Sequence, residues 1–213
     1  MTGGVKPKRP YDSPRRREQA AATRQAILDA AQRLFERRGY VATSVSAIAA
    51  EAGVALKTVY AVFGTKREVL IALRGRLVRG DENPAPVAEQ SWFKTMLAEP
   101  DPRQRIRLFA HGQAEIKQRA GAVVAIIRDA APADPEIATL WDQFMREFYD
   151  NQRLFIGQLD KDGALKIDPE RATDILWTVN HPTVYRLLVH ERGWTNGDYE
   201  HWLDATLAEQ LLP

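Results

Sequence analysis

The reactive side chains of this chain do not form a recognisable catalytic pattern. The sequence has no cysteine, and its four histidines lack the close spacing of metal ligands: His111, His181, His190 and His201. Neither a nucleophile elbow nor a glycine-rich phosphate loop is present. The sequence therefore does not indicate an enzyme, and we predict neither a metal nor another cofactor.

The first functional signal is an asymmetry of charge along the chain. Residues 1–80 carry 16 Lys and Arg against 6 Asp and Glu, a balance of +10, whereas residues 81–213 carry 14 against 22, a balance of −8. A basic segment joined to an acidic one suggests that only the first contacts a polyanion. A solvated basic surface is the competing interpretation until a motif is found.

A helix-turn-helix spacing lies inside this basic segment. Ala49 is small enough for two helix backbones to approach, Gly53 can supply the positive φ of a tight turn, and Val59 can dock the second helix on the first. The same three residues also fit a simple corner between two helices. Their position within the basic segment favours a helix that binds nucleic acid.

The elements that position these residues are predicted to be helices, because apolar residues recur at helical spacing and no alternating strand pattern occurs. In the first third we expect helices from Pro14 or Arg17 to Arg38, from Thr43 or Ser44 to Gly53, from Ala55 to Phe63, and from a Thr65 to Glu68 capping box through Leu77. In the remainder we expect helices over 103–119, 121–131, 135–160, 169–191 and 198–212, the fourth of these kinked at His181-Pro182.

Three regions follow from the placement of breakers and charge. We expect a basic, disordered arm at 1–17, a helix-turn-helix DNA-binding domain at 18–80, and a second helical domain at 87–213. No signal peptide or membrane-spanning run is present, so we expect a cytoplasmic protein without a role at a membrane.

Residues 23–70 resemble the N-terminal domain of the TetR family of bacterial transcriptional regulators. The matching elements are Ile27 to Ala31, Leu34-Phe35, Gly39-Tyr40, Thr43 to Val45, Ile48-Ala49, Ala52 to Val54, Thr58 to Tyr60, Phe63 and Lys66. The remainder resembles the family only in being helical and in ending with two long amphipathic segments. The sequence departs from the family at Ala55 and Lys57, where a serine and a glycine are common.

The resemblance implies that the third helix lies in the major groove of DNA. It assigns phosphate contacts to Lys66, Tyr60 and Thr58, and also to Thr43 or Ser44 at the start of the second helix. Lys57 could then bind guanine, and Leu56 could contact a thymine methyl group. The alternatives are that Thr43 and Ser44 serve only as helix caps and that the ring of Tyr60 is buried.

The resemblance also implies a homodimeric repressor that binds a palindromic double-stranded DNA operator and is released by a small-molecule effector. It makes residues 87–213 the helical ligand-binding and dimerisation domain. An activator would use the same machinery. One helical face, together with residues expected opposite it, could line the effector site: Trp141, Phe144, Met145 and Phe148, with Phe109, Gln113, Trp177 and His181. Aromatic residues at helical spacing are, however, more often ordinary core residues.

Dimerisation is predicted through the last two helices, which would form a four-helix bundle across a twofold axis. The apolar residues that would meet there are Ile175, Leu176, Val179, Leu187, Leu188, Trp202, Leu203, Leu207 and Leu211. Packing of the same residues within one subunit is the alternative interpretation.

The basic arm and the overall function each have competing interpretations. The arm residues Lys6, Lys8, Arg9, Arg15, Arg16 and Arg17 could follow phosphates or the minor groove, or could form a solvated extension. Two other classes of function are a helical ligand-binding or interaction module without specific DNA binding, and an architectural DNA binder indifferent to sequence.

Overall fold

The computed structural model describes residues 14–80 and 86–213, and throughout these residues the regular structure is helical, with no strand. This confirms the all-α prediction. The helices are α1 (Pro14–Arg38), α2 (Val45–Glu51), α3 (Leu56–Phe63), α4 (Lys66–Arg79), α5 (Ser91–Leu97), α6 (Pro102–Ala130), α7 (Pro135–Lys161), α8 (Pro169–Val179), α9 (Pro182–Tyr185) and α10 (Asn196–Leu211). A single π-helical turn, Arg186–Glu191, continues from α9.

Side-chain caps explain several helix boundaries. Ser44 accepts a hydrogen bond from the backbone N–H of Ala47 at the start of α2, and Thr65 accepts one from Glu68 at the start of α4. Such caps satisfy backbone donors that a helix N-terminus leaves free. The structure shows only this half of the capping box predicted for α4, because the Glu68 carboxylate accepts a hydrogen bond from Arg67.

The helices α1 to α4 surround one apolar core, in which Leu34, Phe35 and Ile48 are buried. Gly53 has a φ of +66°, and this left-handed conformation allows the tight turn between α2 and α3. Two ion pairs add links between helices, because Arg33 binds Glu51 on α2 and Arg76 on α4 binds Asp29 on α1. The predicted helix-turn-helix geometry is therefore present.

This first core does not end at the domain boundary predicted from the sequence. Val123, Ile127 and Ala130 at the end of α6 belong to the same buried cluster, as do Ile137 and Leu140 at the start of α7. Residues 81–85, where the boundary was expected, lie outside the described residues. The corner between α6 and α7 thus forms part of the support of the N-terminal helices.

The prediction of two helices over 103–119 and 121–131 was wrong, because α6 runs without interruption from Pro102 to Ala130. A glycine inside a helix costs about 1 kcal/mol relative to alanine, which tertiary packing readily offsets. Gly121 lies beside the ring of Tyr185, and its neighbours Ala120 and Val123 are buried. Packing on both sides therefore holds the helix together at this glycine.

The prediction of a single kinked helix over 169–191 was also wrong. The chain leaves the helical conformation after Val179, and a new helix begins at Pro182. Proline lacks a backbone N–H and disfavours the helical conformation of the residue before it. His181 accordingly has extended backbone, and its ring accepts a hydrogen bond from the backbone N–H of Thr183.

A second core joins α5, α6, α7, α8 and α10, and part of the predicted dimer interface lies inside it. Of the apolar residues expected at that interface, four leucines are fully buried within one subunit, so their prediction as interface residues was wrong: Leu176, Leu203, Leu207 and Leu211. The physical reason is that α10 packs along α6, so its apolar face is already covered. Leu187, in contrast, is 41% exposed.

Two predictions concern the N-terminus and membranes. The helix α1 begins at Pro14, so residues 14–17 of the expected disordered arm are helical, while the rest of the arm lies outside the described residues.

In the part of the chain that the structure describes, no single helix is long and apolar enough to cross a membrane. The helices α2 and α3 are together long and apolar enough for such a span, although the pair is bent by 109°.

Candidate nucleic-acid interface and ligand cavity

The helix α3 places opposite chemistry on its two sides. Val59 and Phe63 are buried against the other N-terminal helices, whereas Leu56 is 43% exposed and Tyr60 is 50% exposed. Lys57 is also exposed, and Thr58 is half-buried. The helix is therefore held by one face and presents a cationic, apolar and phenolic set of groups to solvent. The alternative of a buried Tyr60 ring is excluded.

The start of α3 lacks a side-chain cap, at the position where the family commonly has a serine. Ala55 occupies the N-cap position and makes no side-chain hydrogen bond there. The first backbone N–H groups of α3 are consequently left without a side-chain acceptor.

The two hydroxyl residues before α2 have different roles. Ser44 is exposed and caps the helix, and its hydroxyl also lies 2.9 Å from that of Ser46. Thr43 is only 1% exposed and donates a hydrogen bond to the carbonyl oxygen of Gly39 at 2.8 Å. The prediction of a phosphate contact for Thr43 is contradicted, because its hydroxyl is enclosed and already bonded.

Lys66 is held by the protein more firmly than the sequence suggests. Its ammonium donates a hydrogen bond to the carbonyl oxygen of Tyr40 at 3.0 Å and lies 4.0 Å from the centre of the Tyr40 ring. Burial lowers the pKa of Lys66, while the nearby carboxylate of Asp134 opposes this effect. Burial is also the main reason that the pKa of Tyr40 is raised to about 12. Lys66 therefore also has a structural role that was not predicted.

A cavity of about 430 Å³ lies between α4, α6, α7 and α9. Of the residues predicted for an effector site, Phe109, Gln113, Phe144 and Phe148 line it. Its size falls within the range of roughly 300 to 1,000 Å³ that is usual for small-molecule sites. It also lies against α4, which belongs to the N-terminal helices. The cavity is therefore the candidate ligand site.

The other residues predicted for the effector site do not line this cavity: Trp141, Met145, Trp177 and His181. Trp141 packs against the N-terminal core and lines a separate cavity of about 310 Å³. The rings of Trp177 and His181 contact each other edge to face, and His181 caps α9. The sequence predicted a kink at His181-Pro182, whereas the structure has a complete break between α8 and α9 at this place.

The floor of the cavity contains polar residues that the sequence prediction did not identify. Lys117 is 6% exposed, and its ammonium donates hydrogen bonds to the side-chain oxygens of Asn180 and, at 3.4 Å, Gln113. Burial lowers the pKa of Lys117 to about 7. Gln152 on α7 is 2% exposed, and both polar atoms of its amide lack a hydrogen-bond partner. Only the three-dimensional packing brings these residues together.

An ion pair beside the cavity joins the two parts of the molecule. Arg74 on α4 binds Glu147 on α7 at 3.1 Å, and its guanidinium lies 4.8 Å from the centre of the Phe144 ring. Arg74, Glu147 and Phe144 all line the cavity. A ligand that enters would therefore meet the contact between α4 and α7.

The N-terminal segment matches a known protein family by sequence. Residues 27–73 match the family model described as bacterial regulatory proteins, tetR family. No curated protein sequence matches the chain.

Solved structures extend the similarity to nearly the whole chain. A putative transcriptional regulator from Saccharomonospora viridis in complex with choline is 20% identical, with 91% of this chain and 99% of that chain covered and a TM-score of 0.67. A putative TetR-family regulator from Syntrophomonas wolfei is 20% identical, and the match covers 88% of this chain and 93% of that chain with a TM-score of 0.70. A putative TetR-family regulator from Mesorhizobium loti is 18% identical, and the match covers 90% of this chain and 96% of that chain with a TM-score of 0.68.

The sequence match and the structural matches agree. Residues 27–73 match the tetR family by sequence, and the chain as a whole has the fold of the solved TetR-family regulators. The family resemblance drawn from the sequence is confirmed.

Proposed function

We propose that the protein is a dimeric transcriptional repressor that binds a palindromic operator and releases it when a small molecule occupies the cavity beside α4. The observation that carries this proposal is the two-sided character of α3. Its buried face is fixed by Val59 and Phe63, while Leu56, Lys57 and Tyr60 face solvent. A helix held in this way can enter the major groove without rearrangement of its own domain.

Two groups of contacts belong to this proposal. Lys57 and Leu56 would contact base edges, whereas Tyr60, Thr58 and the exposed hydroxyl of Ser44 would contact the phosphate backbone. The match to the tetR family over residues 27–73 supports this division of roles. A single short helix reads few base pairs, so specificity requires a second copy related by a twofold axis.

The cavity supports the ligand-responsive part of the proposal. It is lined by α4 residues Arg74, Gly75 and Val78 as well as by α6 and α7. A ligand that prefers one arrangement of these helices shifts the population of that arrangement, and the same shift moves the DNA-binding helices. The choline complex of the Saccharomonospora viridis regulator shows that a protein with this fold can hold a small molecule.

We infer from the family match and the fold that the protein is not an enzyme and acts in the cytoplasm.

Selection of duplexes from a random pool tests the DNA-binding proposal directly. The full chain is expected to recover two inverted half-sites whose centres are separated by about one helical turn or a multiple of it. Gel shifts with selected and scrambled duplexes then measure specificity. Absence of binding would favour a helical ligand-binding or interaction module, and equal binding to all duplexes would favour an architectural DNA binder.

A further inference from the structure

The floor of the cavity beside α4 contains a buried cation without a counter-charge. Lys117 is 6% exposed, and among the described residues no carboxylate pairs with its ammonium. Its hydrogen-bond partners are the neutral side chains of Asn180 and Gln113. A buried ammonium is costly unless it is paired, so this position favours a negative group brought by a ligand.

Gln152 supplies a second, independent indication at the same place. Its side chain lines the cavity, it is 2% exposed, and neither its amide nitrogen nor its amide oxygen has a hydrogen-bond partner. Buried polar atoms are nearly always bonded, and an unmade bond costs about 1 to 3 kcal/mol. The amide nitrogen of Gln152 is therefore an available donor for a ligand oxygen.

The rest of the cavity is largely apolar and aromatic, and among the described residues it offers no buried acidic group. Phe109, Phe144 and Phe148 supply aromatic surface to the same cavity as Lys117. Of the acidic lining residues, Glu147 is paired with Arg74 and Asp150 is exposed to solvent. No anionic side chain therefore lies at the buried floor to attract a cationic ligand.

We propose that the ligand of this cavity is an amphipathic monocarboxylate whose carboxylate binds Lys117 and Gln152. Its apolar body lies against Phe109, Phe144 and Phe148. This inference rests on the proposed function in taking the cavity beside α4 as the effector site, and it adds the chemical class of the effector.

The protonation state of Lys117 gives the proposal a distinctive thermodynamic signature. Burial lowers the pKa of Lys117 to about 7, so above that pH the free protein holds a largely neutral amine. A bound carboxylate favours the charged form and raises the pKa again. Binding at pH 8 should therefore take up a proton, whereas a neutral ligand should not cause this uptake.

Matched probes that differ only in their head group test the class of ligand. Isothermal titration of the full-length protein compares decanoate with 1-decanol and decylamine, and 3-phenylpropionate with 3-phenylpropanol and 3-phenylpropylamine. We expect one or both carboxylates to bind at least about 10-fold more tightly than their matched alcohols, and the amines to bind more weakly still. Titrations at pH 8 in two buffers of different ionisation enthalpy measure the proton uptake.

Three variants distinguish the cavity floor from a general charge effect. Lys117→Met and Gln152→Leu should each remove most of the preference for the carboxylate over the alcohol. The exposed lysine Lys94 is the control, and Lys94→Gln should keep the full preference. Thermal unfolding establishes that each variant folds. Since Lys117→Met replaces an unpaired buried cation with an apolar side chain, it should fold at least as stably as the original protein.

The result that would overturn the proposal is binding of an alcohol or amine as tight as that of its carboxylate, or no binding of either carboxylate. Operator gel shifts separate this failure from that of the proposed function. A carboxylate that binds through Lys117 without releasing DNA would refute ligand-responsive repression and leave the site assignment standing. Specific operator binding with no head-group preference would refute the site assignment and leave the proposed DNA-binding function standing.

Discussion

Lys117 illustrates how one buried side chain can couple stability, pH and ligand binding. Its ammonium lies between Asn180 of the α8 to α9 connection and Gln113 one turn earlier on α6. Asn180 also accepts a hydrogen bond from the hydroxyl of Tyr199 on α10 at 3.4 Å. These neutral partners orient the amine but supply no negative charge, so the charged form of Lys117 destabilises the folded state.

The first prediction concerns the pH dependence of stability. The pKa of Lys117 is about 7 in the folded protein and near 10.5 when unfolded, so between these values the unfolded chain binds more protons. The free energy of unfolding should therefore rise with pH by up to about 1.4 kcal/mol per pH unit in this window. Below pH 7 both states are protonated and the penalty is fully present. Lys117→Met should remove this slope, as measured by urea unfolding from pH 6 to 9.5.

The other titratable groups around Lys117 do not produce the same slope. Burial lowers the pKa of His181, with smaller contributions from Lys117 and Arg128, so this ring titrates below the window. Burial raises the pKa values of Tyr185 and Tyr199 above the ordinary 10.0 of a tyrosine, so both rings titrate above the pH range of the unfolding measurement. The remaining charged groups that line the cavity are Arg74, Arg79, Glu147 and Asp150. Parallel pH profiles for the original protein and Lys117→Met would contradict the assignment.

A second prediction separates base contact from support at the DNA-binding surface. Lys57 is exposed to solvent on α3. Lys57→Ala should therefore change the preference among operator sequences, by about 1 to 3 kcal/mol at the affected base pair. Lys66 bonds the carbonyl oxygen of Tyr40, so Lys66→Ala should weaken binding to all duplexes alike and lower stability. Competition gel shifts against single base-pair changes measure both effects. An unchanged sequence profile for Lys57→Ala would refute its base-reading role.

At the scale of elements, the sequence predicted what depends on local spacing and missed what depends on distant packing. The helix-turn-helix could be predicted because Ala49, Gly53 and Val59 act within one short segment. The continuity of α6 through Gly121, in contrast, could not be predicted locally, because the residue that packs beside this glycine, Tyr185, is far along the chain. The cavity floor escaped prediction for the same reason, since Lys117 and Gln152 lie on different helices.

The third prediction concerns the contact between α4 and α7. Arg74 binds Glu147 across the cavity wall and lies over the Phe144 ring, so under the proposed function it would link ligand occupancy to α4. Arg74→Met should reduce the effect of a bound ligand on operator affinity several-fold, because allosteric coupling energies are typically about 1 to 3 kcal/mol. Operator affinity with and without saturating decanoate measures the coupling. Glu147→Gln should give the same loss.

A matched control for this pair is Arg186, whose ion pair with Glu191 stays within one short segment. Arg186→Gln should leave the coupling unchanged. Loss of coupling in all three variants would indicate a general loosening of the fold. Retained coupling in Arg74→Met would show that the signal passes from the cavity to α3 by another contact.

At the scale of the whole molecule, the N-terminal helices α1 to α4 and the candidate ligand cavity both pack against α6. Its final turns belong to the N-terminal core through Val123, Ile127 and Ala130, whereas its middle carries Gln113 and Lys117 at the cavity. The two buried clusters therefore meet along one continuous helix. A displacement of α6 by a ligand would be transmitted to the support of α1 to α4 within a single subunit, and a dimer would transmit it to two DNA-binding domains at once.

The last prediction concerns the surface through which the proposed dimer would form. With four of the expected interface residues buried inside one subunit, Leu187 remains as a large apolar side chain that is 41% exposed. If two copies meet there, Leu187→Glu should place unpaired charge in the interface, yield monomers in light scattering, and weaken operator binding by at least about 10-fold. Leu154, which is 51% exposed on α7, is the matched control. A dimer that survives Leu187→Glu but dissociates with Leu154→Glu would move the interface from the π-helical turn to α7.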